Sequence, residues 1–347
     1  MNRVALSDES TGIQATLVID LNITLIYDAS LYKTLIQDLS QNKNFEFIQS
    51  LFNSMDIKLQ PLSKNIGLQI TKNDSVSILE LNLEEITNLF KSYGVLLFRG
   101  FETNTNIFKQ FSNLLSIDFL DYTGGAFTRR VIDGDKTVLS VNDHQFAIKL
   151  HGEMYYQKRK PLMLWFFCAN PASQGGETTI CDGKYFFETL SGSTKNLFSR
   201  NKLKFSVHQS KDQWQAKYRI DDLGKLQEIC IDNDISLKIN VDKSIDLEYI
   251  CSAIIPSKCG NYQVFINSLL PTKQLNPEII NFDDDSEIPN DVLTELDEIA
   301  ERITTDISWK TGDILMIDNT RVMHGRRAFS DDKRDIYIRL CSPAFEL

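Results

Sequence analysis

Two residues with metal-binding chemistry, His151 and Glu153, stand one apart in the stretch LHGEMYY of a chain that has only four histidines. In an extended strand residues i and i+2 share a face, so this spacing predicts an imidazole and a carboxylate presented together. His324, in MHGRRAF beyond the apolar run ILMIDN, is the candidate third ligand. Two histidines and one carboxylate on one face of a metal leave three positions open, which suits a non-haem Fe(II) centre that must also take a co-substrate and O₂. The same set suits zinc, so a zinc hydrolase and a non-catalytic metal-binding β-barrel stand as alternatives. His144 and His208 read as ordinary surface or packing residues. FDDDS lacks the glycine and distal glutamate of a calcium loop and reads as solvated.

The elements that must position these residues follow from periodicity. SILELN alternates like a strand, LEEITNLFKSY has helical spacing, and GVLLFRGF is a short apolar run between Gly94 and Gly100. TVLSVN and PLMLWFFCA read as strands, PASQGGETT as turn chemistry, and VLTELDEIAERIT as an amphipathic helix. The last stretch, from DISWKTGDILMID to RDIYIRLCSP, reads as strand, turn, strand, loop, strand, with His324 in the loop and Trp309 in the core. The pattern predicts a mainly β fold with attached helices (α+β). Residues 1–72 read as a helical N-terminal extension packed on the core, with a helix in QDLSQNKNFEFIQSLF. Residues 73–347 read as the main domain, with a variable insert at about 209–285.

Composition narrows the function classes. Lys and Arg total 37 against 47 Asp and Glu, for a formal charge of −10. That balance argues against a nucleic-acid or anionic-membrane partner, whose binding needs clustered cations. No stretch approaches a bilayer span and the opening MNRVALSDESTGIQ does not read as a secretory signal, so the expectation is a soluble, cytoplasmic protein. Cys168, Cys181, Cys230, Cys251, Cys259 and Cys341 show no CxxC pairing and read as reduced thiols.

From about residue 75 onward, apart from roughly 209–285, the chain resembles the taurine/2,4-D dioxygenase (TauD/TfdA) family of Fe(II)- and 2-oxoglutarate-dependent oxygenases. The matching pieces come in the family's order: YGVLLFRGF, LHGEMYY with Pro161 and LMLWFFC, NPASQGGETTICDG, WKTGDILMIDNTRVMHGRRAF and the arginine-bearing end strand. The resemblance implies a double-stranded β-helix (jelly roll), with His151, Glu153 and His324 as iron ligands. It further implies that Thr178 of GGET and an end-strand arginine hold 2-oxoglutarate. Arg334 fits the family's Arg-x-aliphatic pattern; Arg339, five residues on, is the second candidate and would face the other way. Some members carry another arginine four residues after the first, for an acidic substrate group. Ile338 stands there, which speaks against a taurine-like sulfonate.

Glu153, where most of the family has Asp, is similar to the clavaminate synthase-like and amino-acid hydroxylase branches, and a retained carboxylate argues for oxygen insertion rather than halogenation. The implied activity is hydroxylation of an unactivated C–H of an amino acid or amino-acid-derived small molecule, free or carrier-tethered, in natural-product biosynthesis, with release of succinate and CO₂. Desaturation, epoxidation and cyclisation on the same centre are the alternatives. Arg129, Arg130, Asn142 and Arg326 are the candidate substrate residues.

Overall fold

The computed structural model describes residues 57–72, 76–123, 125–127, 129–258 and 262–347, together with the backbone of 2–8 and 13–19. Strands are numbered β1 to β21 along the chain. The chain divides into two compact units, Met1–Ile48 and Gln49–Leu347. In the first, β1 (Asn2–Asp8) and β2 (Ile13–Ile19) pair antiparallel, so strands stand where a helical extension is expected. The helix expected in QDLSQNKNFEFIQSLF lies outside the described residues.

Local chemistry explains how the second unit begins. Gly94, at φ 69, accepts the left-handed turn that ends the helix Leu83–Tyr93, and its N–H caps Phe90. The chain then enters β5 (Val95–Arg99), an almost wholly buried strand. Upstream, SILELN is no strand. Ser77 and Glu80 close a capping box around a single 3₁₀ turn, and Asn82 caps the helix that follows. Side chains that bond the backbone this way override a short alternating pattern.

The main sheet runs in the order β3 (Ile57–Pro61), β4 (Leu68–Lys72), β5, β19 (Ile314–Asp318), β10 (Met163–Asn170), β21 (Asp335–Pro343), β8 (Asp135–Ser140), β7 (Val131–Ile132). Strand β6 (Ser116–Leu120) adds to β21. Because β3 and β4 are bonded into this sheet, residues 57–72 belong to the main unit and not to an extension. A second sheet has the order β18 (Thr305–Ile307), β11 (Thr178–Asp182), β20 (Val322–Arg326), β9 (Ile148–His151). One apolar core takes Leu164, Phe166, Leu315 and Ile338 from the first sheet and Ile180, Ile307 and Val322 from the second. Two antiparallel-rich sheets sharing a core in this way make an open jelly roll, as expected.

The weakly patterned insert joins the strand just before it in a third sheet, ordered β13 (Ser236–Ile239), β14 (Ile245–Cys251), β12 (Leu203–Gln209), β17 (Ile280–Phe282). It carries its own cluster of Trp214, Tyr218, Leu226, Cys230, Ile245 and Leu247. The helix expected at VLTELDEIAERIT spans Asn290–Ile303, and FDDDS is an exposed turn after β17. Five cysteines are free thiols; Cys259 is outside the described residues. No described helix is long and apolar enough to cross a membrane.

A buried ion pair ties β5 to the turn before β19. Asp313 is fully buried and accepts from Arg99 Nε (3.1 Å) and Nη2 (2.6 Å) and from the Lys310 N–H (2.8 Å). Arg99→Met would leave that carboxylate without its countercharge, so we expect a loss of about 3 kcal/mol of stability by denaturant titration.

Candidate metal and co-substrate site

Cross-strand register brings the two histidines together. His151 on β9 and His324 on β20 are direct partners, with ring centroids 4.4 Å apart. Sequence reading placed His324 in a loop; it lies within a buried strand. Glu153 does not share a strand face with His151, since β9 ends at His151 and Glu153 stands in the turn beyond. That turn is fixed by fully buried Asn319. Its Oδ1 accepts from the Glu153 N–H (2.8 Å), and its Nδ2 donates to the carbonyls of Glu153 (3.1 Å) and Pro161 (2.7 Å). Gly152 donates to the Asn267 carbonyl at 2.9 Å, and a Cβ there would come within 2.4 Å of the Tyr155 ring.

The ligand atoms of His151, Glu153 and His324 all lie within 4.8 Å of one another, a set able to hold a metal ion. The lone pairs are directed for it. His151 Nδ1 is 2.9 Å from the Lys149 carbonyl, which only accepts, so Nδ1 carries the proton and Nε2 keeps its lone pair. His324 Nε2 is 3.4 Å from Glu153 Oε2. Burial, then the neighbouring His324, lowers the His151 pKa to about 4, so the imidazole is neutral and ready to ligate at neutral pH. Burial alone would push the Glu153 carboxyl up, but Arg129 foremost, with the two imidazoles, holds it well below the carboxylate range. Arg129 Nη2 donates to both its oxygens, at 3.0 and 3.2 Å, while the guanidinium lies 3.7 Å over the Tyr122 ring.

These residues open into a cavity of about 350 Å³, which Thr178, Arg326 and Arg334 also line. Thr178 Oγ1 accepts from the Trp309 indole at 3.1 Å, so its own proton is left to donate into the cavity. Trp309, expected as core, is buried and also orients this hydroxyl. Arg334 is held by the Gly176 carbonyl (3.2 Å) and Asn142 Oδ1 (2.7 Å), with no carboxylate bonded to it among the described residues. Burial, and next Arg326, lowers its pKa to about 9, the mark of a cation that lacks an anion.

Three expected site residues lie elsewhere. Arg339 alternates with Ile338 along β21 and points to the opposite face, where Ser112, Asn113 and the Lys109 carbonyl accept from it. Asn142 does not line the cavity; its amide is committed to Ser140, Asp335 and the Ile336 carbonyl. Arg130 is exposed beside Asp335 at 3.5 Å. His208 is exposed beside Asp246, as expected of a surface residue. His144, read as ordinary, stacks on Phe146, lies tilted against Phe127 and lines the cavity. Part of the cavity wall comes from β12, through Phe205 and Val207, and from the insert, through Tyr218, Leu247 and Tyr249. No motif in a single sequence marks those positions.

The family model described as "Taurine catabolism dioxygenase TauD, TfdA family" matches residues 58–341. A clavaminate synthase-like protein of Arabidopsis thaliana is 25% identical over 277 residues, covering 74% of this chain and 84% of its own. Dapdiamide synthesis protein DdaC of Enterobacter agglomerans is 24% identical over 286 residues, covering 75% and 85%. Among solved structures, PvcB of Pseudomonas aeruginosa superposes with a TM-score of 0.55 at 15% identity, over 84% of this chain and 92% of that one. PvcB is described as an Fe, alpha-ketoglutarate dependent oxygenase from an isonitrile synthetic pathway.

Two measurements check this geometry. Asn319→Ala should loosen the Glu153 turn and weaken metal binding about 10- to 100-fold by titration, as removal of a group that orients a ligand does. The second concerns pH in the metal-free protein. With the His151 pKa lowered from 6.5 to about 4, the unfolded chain takes up a proton that the folded protein refuses. The stability this group contributes is complete above pH 6.5 and is lost as pH falls through about 4, a change of about 3 kcal/mol. His151→Asn should flatten that part of the stability profile.

Proposed function

The chain belongs to the taurine catabolism dioxygenase TauD/TfdA family of Fe(II)- and 2-oxoglutarate-dependent oxygenases, and from that premise we propose that it hydroxylates an unactivated C–H of an amino acid or amino-acid-derived small molecule. The observation that carries this reading is the convergence of His151, Glu153, His324, Thr178 and Arg334 on one cavity. A zinc hydrolase or a passive metal-binding barrel has no use for the last two. Support for a natural-product setting comes from relatives: one serves dapdiamide synthesis and one structural neighbour an isonitrile pathway.

Each residue has a physical task in this reading. His151, Glu153 and His324 hold the iron. The donor set fits, since a neutral His151 imidazole with its Nε2 lone pair free and a carboxylate kept ionised stand together with His324. When bound, iron and 2-oxoglutarate supply the oxidising power, with succinate and CO₂ as co-products of O₂ use. Arg334 and the Thr178 hydroxyl hold the distal carboxylate of the co-substrate, the arginine through a planar fork and the threonine through a single oriented O–H. Phe166 stands against the His324 ring, centroids 5.7 Å apart, and keeps that side of the site dry. The insert wall positions the substrate, and position alone selects which bond reacts.

Succinate formation from 2-oxoglutarate, without substrate and then with candidate amino acids, tests the reading. His151→Ala should abolish iron-dependent succinate release. Arg334→Ala should raise the 2-oxoglutarate concentration needed at least tenfold, and Arg339→Ala should leave that requirement unchanged. Product heavier by one oxygen identifies hydroxylation or epoxidation, and loss of two hydrogens identifies desaturation or ring closure. Undiminished turnover in His151→Ala would end the assignment.

A further inference from the structure

Three buried nitrogens of cavity-lining residues, Arg129 Nη1, His324 Nδ1 and Arg326 Nε, have no hydrogen-bond partner among the described residues, and Arg129 Nη1 is the one that belongs to a guanidinium bound to Glu153. Arg129 uses Nη2 for the two oxygens of Glu153, and its face is covered by Tyr122. Its Nη1 is buried and, among the described residues, meets no acceptor. A buried N–H without a partner is unfavourable and persists where a ligand supplies one. Arg326 differs, because its two Nη groups donate to the carbonyls of Val141 and Phe146 at 2.8 Å each, leaving only Nε.

Charge balance points the same way. Arg129, Arg326, Arg334 and Lys217 line the cavity, and among the described residues Glu153 is its only buried carboxylate; Asp143 and Glu248 also line it but are exposed. Iron(II) and a dianionic keto acid cancel each other, so the loaded site keeps an excess of positive charge. Ile338, on the face where the resemblance would put a substrate-binding arginine, is apolar and cannot use it. The lining of the cavity is mostly apolar and includes Phe205, Val207, Leu247 and Tyr249.

We propose that Arg129 binds a free carboxylate of the substrate through Nη1 while Nη2 stays on Glu153, which makes the substrate a carboxylic acid with an apolar body. The inference rests on the iron and 2-oxoglutarate reading and sharpens it. A carboxylate bound here is not the one esterified to a carrier, so the acid arrives free at this group. Arg129 is also a ruler: one guanidinium bridges an iron ligand and the substrate, so the bond presented to the metal lies a short, fixed distance from the acid.

The test uses matched pairs that differ in charge alone: L-leucine, L-phenylalanine and their N-acetyl derivatives, each against its primary amide. Each is added anaerobically to the full-length protein loaded with Fe(II) and 2-oxoglutarate, and the weak visible charge-transfer band of the chelate is followed. We expect at least one acid to shift the band with affinity tenfold or more above its amide. Arg129→Gln should lose that discrimination, and Arg129→Lys, which keeps charge but not the fork, should retain part of it. Because Arg129 also touches Glu153, the band without additive is recorded for each variant, and Arg129→Lys decides the matter if Arg129→Gln fails to load. Acid and amide within twofold of each other, no response to any acid, or discrimination surviving in Arg129→Gln would overturn the proposal. Absence of the band in the unaltered protein is a different failure, since it removes the iron and 2-oxoglutarate reading itself.

Discussion

A carboxylate only 3% exposed has to be answered by positive or polar groups on every side, and the surroundings of Glu153 are organised by that requirement. Arg129 supplies the countercharge, the imidazoles of His151 and His324 stand within 4 Å, and Asn319 fixes the backbone so that the group cannot turn away. Metal affinity is the reverse side of this arrangement. Groups gathered at a cost in desolvation are already where a divalent cation would need them, so little is left to reorganise on binding.

The sheets matter because they make those distances reproducible. The two histidines belong to adjacent strands of the small sheet, and Thr178 is on the strand beyond, paired with Arg326. Arg334 enters from the large sheet, immediately before β21, and its orientation is set by Asn142. A site drawn from both sheets exists only when the two are packed, and the shared core of Leu164, Phe166, Ile180 and Val322 provides that packing.

How much of this was legible beforehand varied by residue for physical reasons. His151, Glu153, His324 and Thr178 sit in short local motifs whose chemistry is visible without a fold. Arg334 and Arg339 could be separated by strand parity, since Ile336, Ile338 and Leu340 form the core face of β21 and Arg339 lies between them. Asn142 and Asn319 were not legible in their actual roles, because an amide that satisfies backbone groups across well over a hundred residues leaves no local pattern. SILELN misled because capping side chains outweigh a brief alternation. The insert read as polar and featureless because a small sheet covering a cavity on one side shows solvent the other.

Part of that lobe has a core of its own, in which Trp214 and Leu226 pack with Ile245 and Leu247 of β14, but Phe205 of β12 and Tyr249 of β14 belong to another core, shared with Leu150 beside His151 and Met323 beside His324. The cavity wall therefore stands on two foundations. A substitution at Leu247 acts within the small outer cluster, whereas one at Phe205 or Tyr249 acts on a core that also holds the chain neighbours of His151 and His324. In such a layout the outer part of the wall is adjustable apart from the His151–His324 pair, while the inner part couples the shape of the cavity to the position of those two histidines.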